Sequence, residues 1–372
     1  MRAAALSTLF LCPLLGVLIT GCTETSDPGD TSTHDVNLQR KRPTPGEAPF
    51  GYVSAEFMPV SEVDATLPML AAHRVDLALA WPLVETAAER AERFQLVRHA
   101  AELGVSIRPW VLLPEADGYW PGATNAELFD REARRFVEEW LEAELAPSML
   151  LVDMEMTLER TQKYVELVGA QDVDGAIDLL RDGVDRARYS AATRTYKELV
   201  DFLHERGFRA EISTLSSVLD DYEDGDDGIR QGFSIPIEGI DWDLYTFQVY
   251  RTLGEYGHGV RPTSYYVQDY ARRARARFGD RAGVIVGMTD AGDIAPDAPV
   301  YDSPGEALSD AHVALRTGIA REFVGIYQLR GITRRTPSER WFDGSSSAPA
   351  LLLPDLGTFL LRTSATVLDS AL

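Results

Sequence analysis

The chain has 372 residues, with 58 Asp and Glu against 36 Lys and Arg, for a formal net charge of −22. Binding a phosphate backbone needs a basic surface, so this balance excludes nucleic acid as the natural ligand and leaves neutral or cationic partners. More than 300 residues follow the N-terminal region without a break in composition, enough to bury the core of one large domain.

Met1-Arg2 opens an apolar run that reaches Ile19 and ends at Thr20-Gly21-Cys22. One positive charge, a short apolar core and a small-residue cleavage site make a secretory signal, too short to span a membrane comfortably. Ile19-Thr20-Gly21-Cys22 also resembles the lipobox of bacterial lipoproteins. That resemblance implies a signal peptide over 1–21, cleavage before Cys22 and acylation of its thiol, palmitate being one of the expected chains. The lipid would hold the protein to a membrane surface without crossing it. Thr23, where an Asp would mark inner-membrane retention, favours the outer membrane or cell surface of the bacterial envelope. Cys12 leaves with the signal, so the mature domain keeps no thiol for a disulfide, a metal or a nucleophile. Residues 22–49, rich in Thr, Ser, Asp, Pro and Gly, read as a flexible tether.

From residue 50 to 372 apolar strand-like runs alternate with helical patterns. The runs cover 50–57, 75–81, 105–113, 149–155, 208–215, 244–250, 283–289 and 323–329. Helical periodicity marks 61–73, 85–103, 125–145, 189–206, 264–278 and 305–319, with Gly104, Gly207 and Gly279 placed as C-caps. Nearly continuous apolar strands separated by helices mean a parallel sheet covered by helices. Eight such units predict a single-domain α/β fold, a closed (β/α)₈ TIM barrel; an open doubly wound sheet is the alternative, but no Gly-x-Gly-x-x-Gly follows an early strand. Two long excursions interrupt the rhythm. Residues 157–188 predict an extra helical segment. Residues 216–240 carry Asp220, Asp221, Glu223, Asp224, Asp226 and Asp227, and read as a solvated acidic loop because Tyr222 falls where a calcium loop needs an oxygen ligand.

The chemistry of a barrel gathers at the C-terminal ends of its strands. Those ends hold Glu56, Trp81, Trp110, Asp153 and Glu155, Thr214, Gln248 and Tyr250, Asp290, and Gln328 with Arg330. The central stretch is Met149-Leu-Leu-Val-Asp-Met-Glu-Met156. Residues two apart on a strand share a face, so Asp153 and Glu155 point the same way. Two neighbouring carboxylates in a partly desolvated place resist joint ionisation, which raises one pKa to where a general acid works near neutral pH. Trp81, Trp110 and the Tyr119-Trp120 pair set flat rings beside these acids, as Tyr250 and Tyr256 do on the sixth strand and its loop; sugar rings suit such a surface, stacking their C–H faces and hydrogen-bonding their hydroxyls.

Asp153-Met154-Glu155 closing the fourth strand looks like the end of the Asp-x-x-Asp-x-Asp-x-Glu motif of the chitinase-like glycoside hydrolases, and Gln248 and Tyr250 are similar to that family's Met-x-Tyr on strand six. The two earlier aspartates are Ser148 and Leu151 here, Met is replaced by Gln248, and no Trp ends the eighth strand. The Asp-x-Glu also resembles that of barrel muramidases, without their first-strand aspartate, and strand four resembles that of the retaining clan whose nucleophile is a strand-seven Glu, where Asp290 stands instead. The resemblance implies a glycosidase with Glu155 as proton donor, Asp153 orienting it or the substrate, Tyr250 and Gln248 hydrogen-bonding the sugar, and Asp290 or Glu56 as a second carboxylate. Glu56, Trp81, Trp110, Tyr119, Trp120, Gln248, Gln328 and Arg330 are then the substrate-binding set. The expected protein is a monomer that needs no cofactor or metal, with a carbohydrate and a membrane as partners. Two other readings fit the same residues: a glycan-binding surface lipoprotein on a barrel without chemistry, and a hydrolase using a hard cation on Glu56, Asp153, Glu155 and Asp290. The second lacks the histidines such barrels bring to the mouth, since His34, His73, His99, His204, His258 and His312 lie in tether, helices or loops.

Overall fold

A computed structural model of the chain describes residues 47–83, 86–293, 296–335, 337–343 and 352–372. The signal, Cys22 and the tether up to residue 46 lie outside the described residues. Glu47–Pro49, assigned to the tether, are held against the barrel: Ala48 is fully buried and its carbonyl accepts from Arg321 Nε at 2.7 Å.

Eight parallel strands close into a barrel in chain order: β1 (Tyr52–Ala55), β2 (Asp76–Pro82), β3 (Ile107–Leu112), β4 (Met149–Met154), β5 (Arg209–Leu215), β6 (Leu244–Val249), β7 (Ala282–Gly287) and β8 (Val324–Tyr327). Each falls on one of the apolar runs, β2 passing the end of its run by one residue at Pro82 and β7 starting one residue early at Ala282. Helices fill the intervals. After β1 come α1 (Val60–Asp64) and α2 (Leu67–His73), after β2 α3 (Ala87–Glu102), after β3 α4 (Ala126–Glu142). β4 is followed by α5 (Leu158–Gly169), α6 (Val173–Arg181) and α7 (Arg186–Glu205), β5 by α8 (Val218–Asp224) and α9 (Gly228–Gly232), and β6 by α10 (Arg251–His258) and α11 (Ser264–Phe278). α12 (Pro304–Arg316) follows β7, and α13 (Leu329–Arg334) and α14 (Leu356–Ala371) follow β8.

Local sequence explains the helices. Thr86 Oγ1 accepts from Glu89 N while the Glu89 carboxylate accepts from Thr86 N, a reciprocal cap worth about 1 kcal/mol at the start of α3. α4 buries Phe129, Ala133, Phe136, Val137 and Trp140, one stripe at helical spacing. Gly104 and Gly207 take φ of 77° and 78°, the left-handed turn that ends a helix at little cost only for glycine.

Strand alternation divides the core in two. Leu77, Leu79 and Trp81 of β2 face the helices; Ala78 and Ala80 face the lumen with Tyr52, Trp110, Leu112, Leu151 and Ile285. Closure between β1 and β8 pairs Tyr52 with Gly325, where a Cβ would lie 2.2 Å from the Tyr52 ring, so that position has room for glycine alone.

The acidic segment departs from expectation. It folds into α8 and α9, and two of its acids are interior. Asp221 is fully buried, accepting from the backbone of Ile229 and Arg230 and from Arg230 Nε at 2.9 Å. Asp220 accepts from Tyr270 Oη and Arg273 Nη1, both at 2.8 Å. The arginines that neutralise them come from other helices, Arg230 of α9 nine residues on and Arg273 of α11, so composition alone reads the run as solvated.

Candidate active site

The rim at the C-terminal ends of the strands is built on Asp153, Glu155 and Gln248. β4 ends with Asp153 turned inward and buried, and Glu155 follows it half-buried, because the strand stops at Met154 and the next residue leaves the sheet. Gln248, inward on β6, uses one amide nitrogen for both: Nε2 donates to Asp153 Oδ1 at 2.8 Å and to Glu155 Oε1 at 2.7 Å. Asp153 also takes the Ser213 hydroxyl. A third acid joins from β1. Glu56 is buried, accepting from Tyr119 Oη at 2.7 Å and Tyr327 Oη at 2.6 Å, and Tyr327 lies on Tyr250 with ring centres 5.5 Å apart.

The donors around these three acids are neutral. Burial pushes Glu155 up to about 7, against the pull of the Gln248 bond and with a further push from Glu56. Burial likewise pushes Glu56 up to about 7, opposed by its two tyrosines. Asp153 is raised by burial, then by the charges of Glu155 and Glu56. Arg330 offsets part of the charge at Glu56, but its guanidinium is committed elsewhere, to Asp290 at 2.7 Å and Asp293 at 2.8 Å. Three acids that cannot all ionise share protons near neutral pH, and the titration belongs to the group rather than to one member.

Beneath the pair the lumen narrows to about 20 Å³, lined by Tyr52, Ser54, Trp110, Asp153, Ser213 and Gln248 among others. Among the described residues Ser54 Oγ and Trp110 Nε1 have no hydrogen-bond partner there. That volume suits one water, which those polar atoms could hold.

The structure sorts the residues singled out by sequence. It brings Glu56, Asp153, Glu155, Gln248, Tyr250 and Tyr119 together at the rim. Trp110 is inside the barrel, below them. Trp120 is buried against Tyr119, edge-on at 5.1 Å, rather than open as a platform. Gln328 is buried next to Glu56, whose N–H it accepts at 3.4 Å. Two roles need correction. Trp81 is on the outer face of β2, 1 % exposed and packed edge-on against Phe136 and Trp140, because the residue after an inward alanine must point at the helices. Asp290 and Arg330 bind each other. Burial would raise Asp290, but the Arg330 bonds and the Gly292 N–H hold it below the usual carboxylate range, which makes it a poor proton shuttle. Strand-end position alone points to Gln328 and passes over Tyr327, but Gly325 and Tyr327 are the residues in phase with the lumen. Among the described residues no group of three His, Cys, Asp or Glu is arranged to hold a metal ion.

No family model matches the chain, and no curated protein does. Solved structures are similar at the level of the barrel. The D-allulose 3-epimerase of Methylomonas sp. matches at 11 % identity over 87 % of this chain and 96 % of that one, with a TM-score of 0.40. A xylose isomerase-like TIM barrel protein from Mycobacterium smegmatis, in complex with magnesium, matches at 10 % identity over 87 % and 97 %, TM-score 0.41. The GH26 domain of an endo-β-mannanase/endo-β-glucanase from Prevotella bryantii matches at 8 % identity over 81 % and 90 %, TM-score 0.46.

Proposed function

We propose that the chain is a glycoside hydrolase whose general acid is Glu155, carried on a lipid-anchored barrel in the bacterial envelope. The observation that carries this reading is the single Gln248 amide shared by Asp153 and the half-buried Glu155. A protonated Glu155 facing solvent can pass its proton to a glycosidic oxygen. The carboxylate left behind keeps the Gln248 N–H, so the same bond supports it as charge develops. Asp153, buried and held by Gln248 and Ser213, is itself raised by burial and by the charges of Glu155 and Glu56, so the proton that Glu155 donates is one the acid cluster shares. Tyr250 and Tyr327 offer ring faces beside the pair, and Glu56, raised to about 7, is the available second carboxylate. With only about 20 Å³ below the acids, the scissile sugar lies across the rim instead of entering the lumen.

The test is Glu155→Gln assayed on chitin, peptidoglycan and plant and microbial glycans that the wild type cleaves. Turnover falls by roughly 10²–10⁴-fold with the thermal midpoint kept. Full activity in the variant overturns the assignment. The closed lumen favours one other reading, a glycan-binding lipoprotein without chemistry, which predicts oligosaccharide binding with no turnover. The anchor is tested apart from the barrel: Cys22→Ser leaves the protein unlipidated and free of the membrane fraction, and an unchanged membrane distribution would sink it.

A further inference from the structure

The insertions above the barrel form a second concave surface. α5 starts three residues after Glu155, α10 starts directly after Tyr250, and the segment carrying Pro296–Ala298 follows β7. Between them lies a cleft of about 420 Å³, within the range of small-ligand sites. Its first wall is one face of α5, where Thr161 and Val165, and Gln162 and Glu166, are neighbours one turn apart. The second is Tyr256 of α10, 41 % exposed, and the third is Pro296, Asp297 and Ala298. Thr161 is six residues beyond Glu155 and Tyr256 six beyond Tyr250. Both walls therefore begin within two turns of the rim residues that precede them, on the same end of the barrel as the acid pair.

The walls are fixed before any ligand arrives. Arg251, at the start of α10, donates to the buried Asp310 at 2.5 Å, and the Thr252 hydroxyl is tied to the Gly287 carbonyl and the Met288 N–H. Arg261 joins Glu255 of α10 to the Val300 carbonyl of the β7 segment. On the other side Arg160 of α5 donates to the Leu179 carbonyl of α6 at 2.7 Å. Preorganised walls cost little ordering on binding.

We infer that this cleft is a distal saccharide subsite, which binds a neutral or amino sugar of the same chain whose linkage is cut at Glu155. Tyr256 supplies a ring for stacking; Thr161, Gln162 and Asp297 supply hydroxyl-binding groups. Glu166 is paired with Lys163 Nζ at 2.9 Å, so Asp297 carries the repulsion of anionic sugars and the preference for an amine. The inference rests on the glycosidase reading for the location of the cut, but its test separates the two. In a Glu155→Gln background, calorimetry is run with β-1,4-linked hexamers of N-acetylglucosamine, glucosamine, glucose and mannose. Tyr256→Ala weakens the hexamer that binds best by about tenfold, while Tyr256→Phe does not. In the active enzyme Tyr256→Ala lowers kcat/KM for that hexamer about tenfold relative to its dimer. Gln162→Ala moves the same ratio in the same direction and covers the case in which Tyr256→Ala fails to fold. If the hexamer is cleaved and neither variant changes the ratio, the subsite is wrong and the glycosidase stands. If it binds without cleavage and Tyr256→Ala weakens it, the cleft stands and the glycosidase fails. Binding of none of the four hexamers overturns the subsite.

Discussion

The lumen of this barrel contains two buried polar clusters, and they treat charge in opposite ways. At the floor Arg108 donates to Glu211 at 3.0 Å and to the Glu322 carbonyl at 2.6 Å, its guanidinium lies 4.3 Å from the centre of the Tyr52 ring, and Thr246 donates to the other Glu211 oxygen at 2.7 Å. At the rim Glu56, Asp153 and Glu155 face hydroxyls and one amide. A buried pair that is fully matched keeps both charges and serves the fold. A buried group of like charges with neutral donors holds protons it can release, at a cost to stability. The difference between a plug and a candidate site is therefore the missing counter-charge rather than burial.

The largest effect expected from this contrast is on turnover, where the Glu155→Gln loss at the rim has no counterpart at the floor: Arg108→Met should leave kcat within a few-fold in whatever fraction is folded. Stability reverses the order. Removing either member of the floor pair strands a buried charge, and Arg108→Met or Glu211→Leu should cost about 3–5 kcal/mol in urea unfolding, with much of it recovered in the double variant. An unchanged urea midpoint for both single variants would mean that the floor pair is not what closes the barrel's lower end.

A third expectation concerns pH. Glu56 and Glu155 titrate near 7 when folded and in the ordinary carboxylate range when unfolded. Between those values the unfolded chain binds fewer protons, so their contribution is fully present below about 4.5 and is lost as pH rises through about 7. Glu56→Gln should flatten that decline and stabilise the protein at pH 8, as read by urea melts from pH 5 to 8; a decline of wild-type steepness in the variant would contradict the raised pKa. The smallest effect is in the lumen between the clusters. A crystal structure should show one water bonded to Ser54 Oγ and Trp110 Nε1, and Ser54→Ala should cost about 1 kcal/mol or less. A dry lumen would contradict this.

Much of this was readable along the chain, for reasons that can be traced. The eight strands were visible because a strand covered on both faces must be apolar throughout. Asp153 with Glu155, and Gln248 with Tyr250, stood out as polar residues interrupting such runs at their ends. Trp81 misled because strand-end position was read without phase: Ala80 is the inward residue, and a one-residue step turns a side chain through the sheet. Arg108 and Glu211 passed unnoticed, being lone charges in separate runs, 103 positions apart, that only barrel closure brings together. Asp220 and Asp221 looked solvated because Arg273 and Arg230 neutralise them from other helices.

The order of residues alone determined that strands and helices alternate eightfold, that a pair of acids ends the fourth strand, and that the surface would be strongly acidic. These are properties of periodicity and composition, and each is carried by a window shorter than one strand–helix unit. Which acids keep their protons was decided only by the closed barrel. That depends on whether a cation from a distant strand reaches the same few ångströms of lumen: Arg108 does so at the floor, whereas Arg330 near the rim is already held by Asp290 and Asp293.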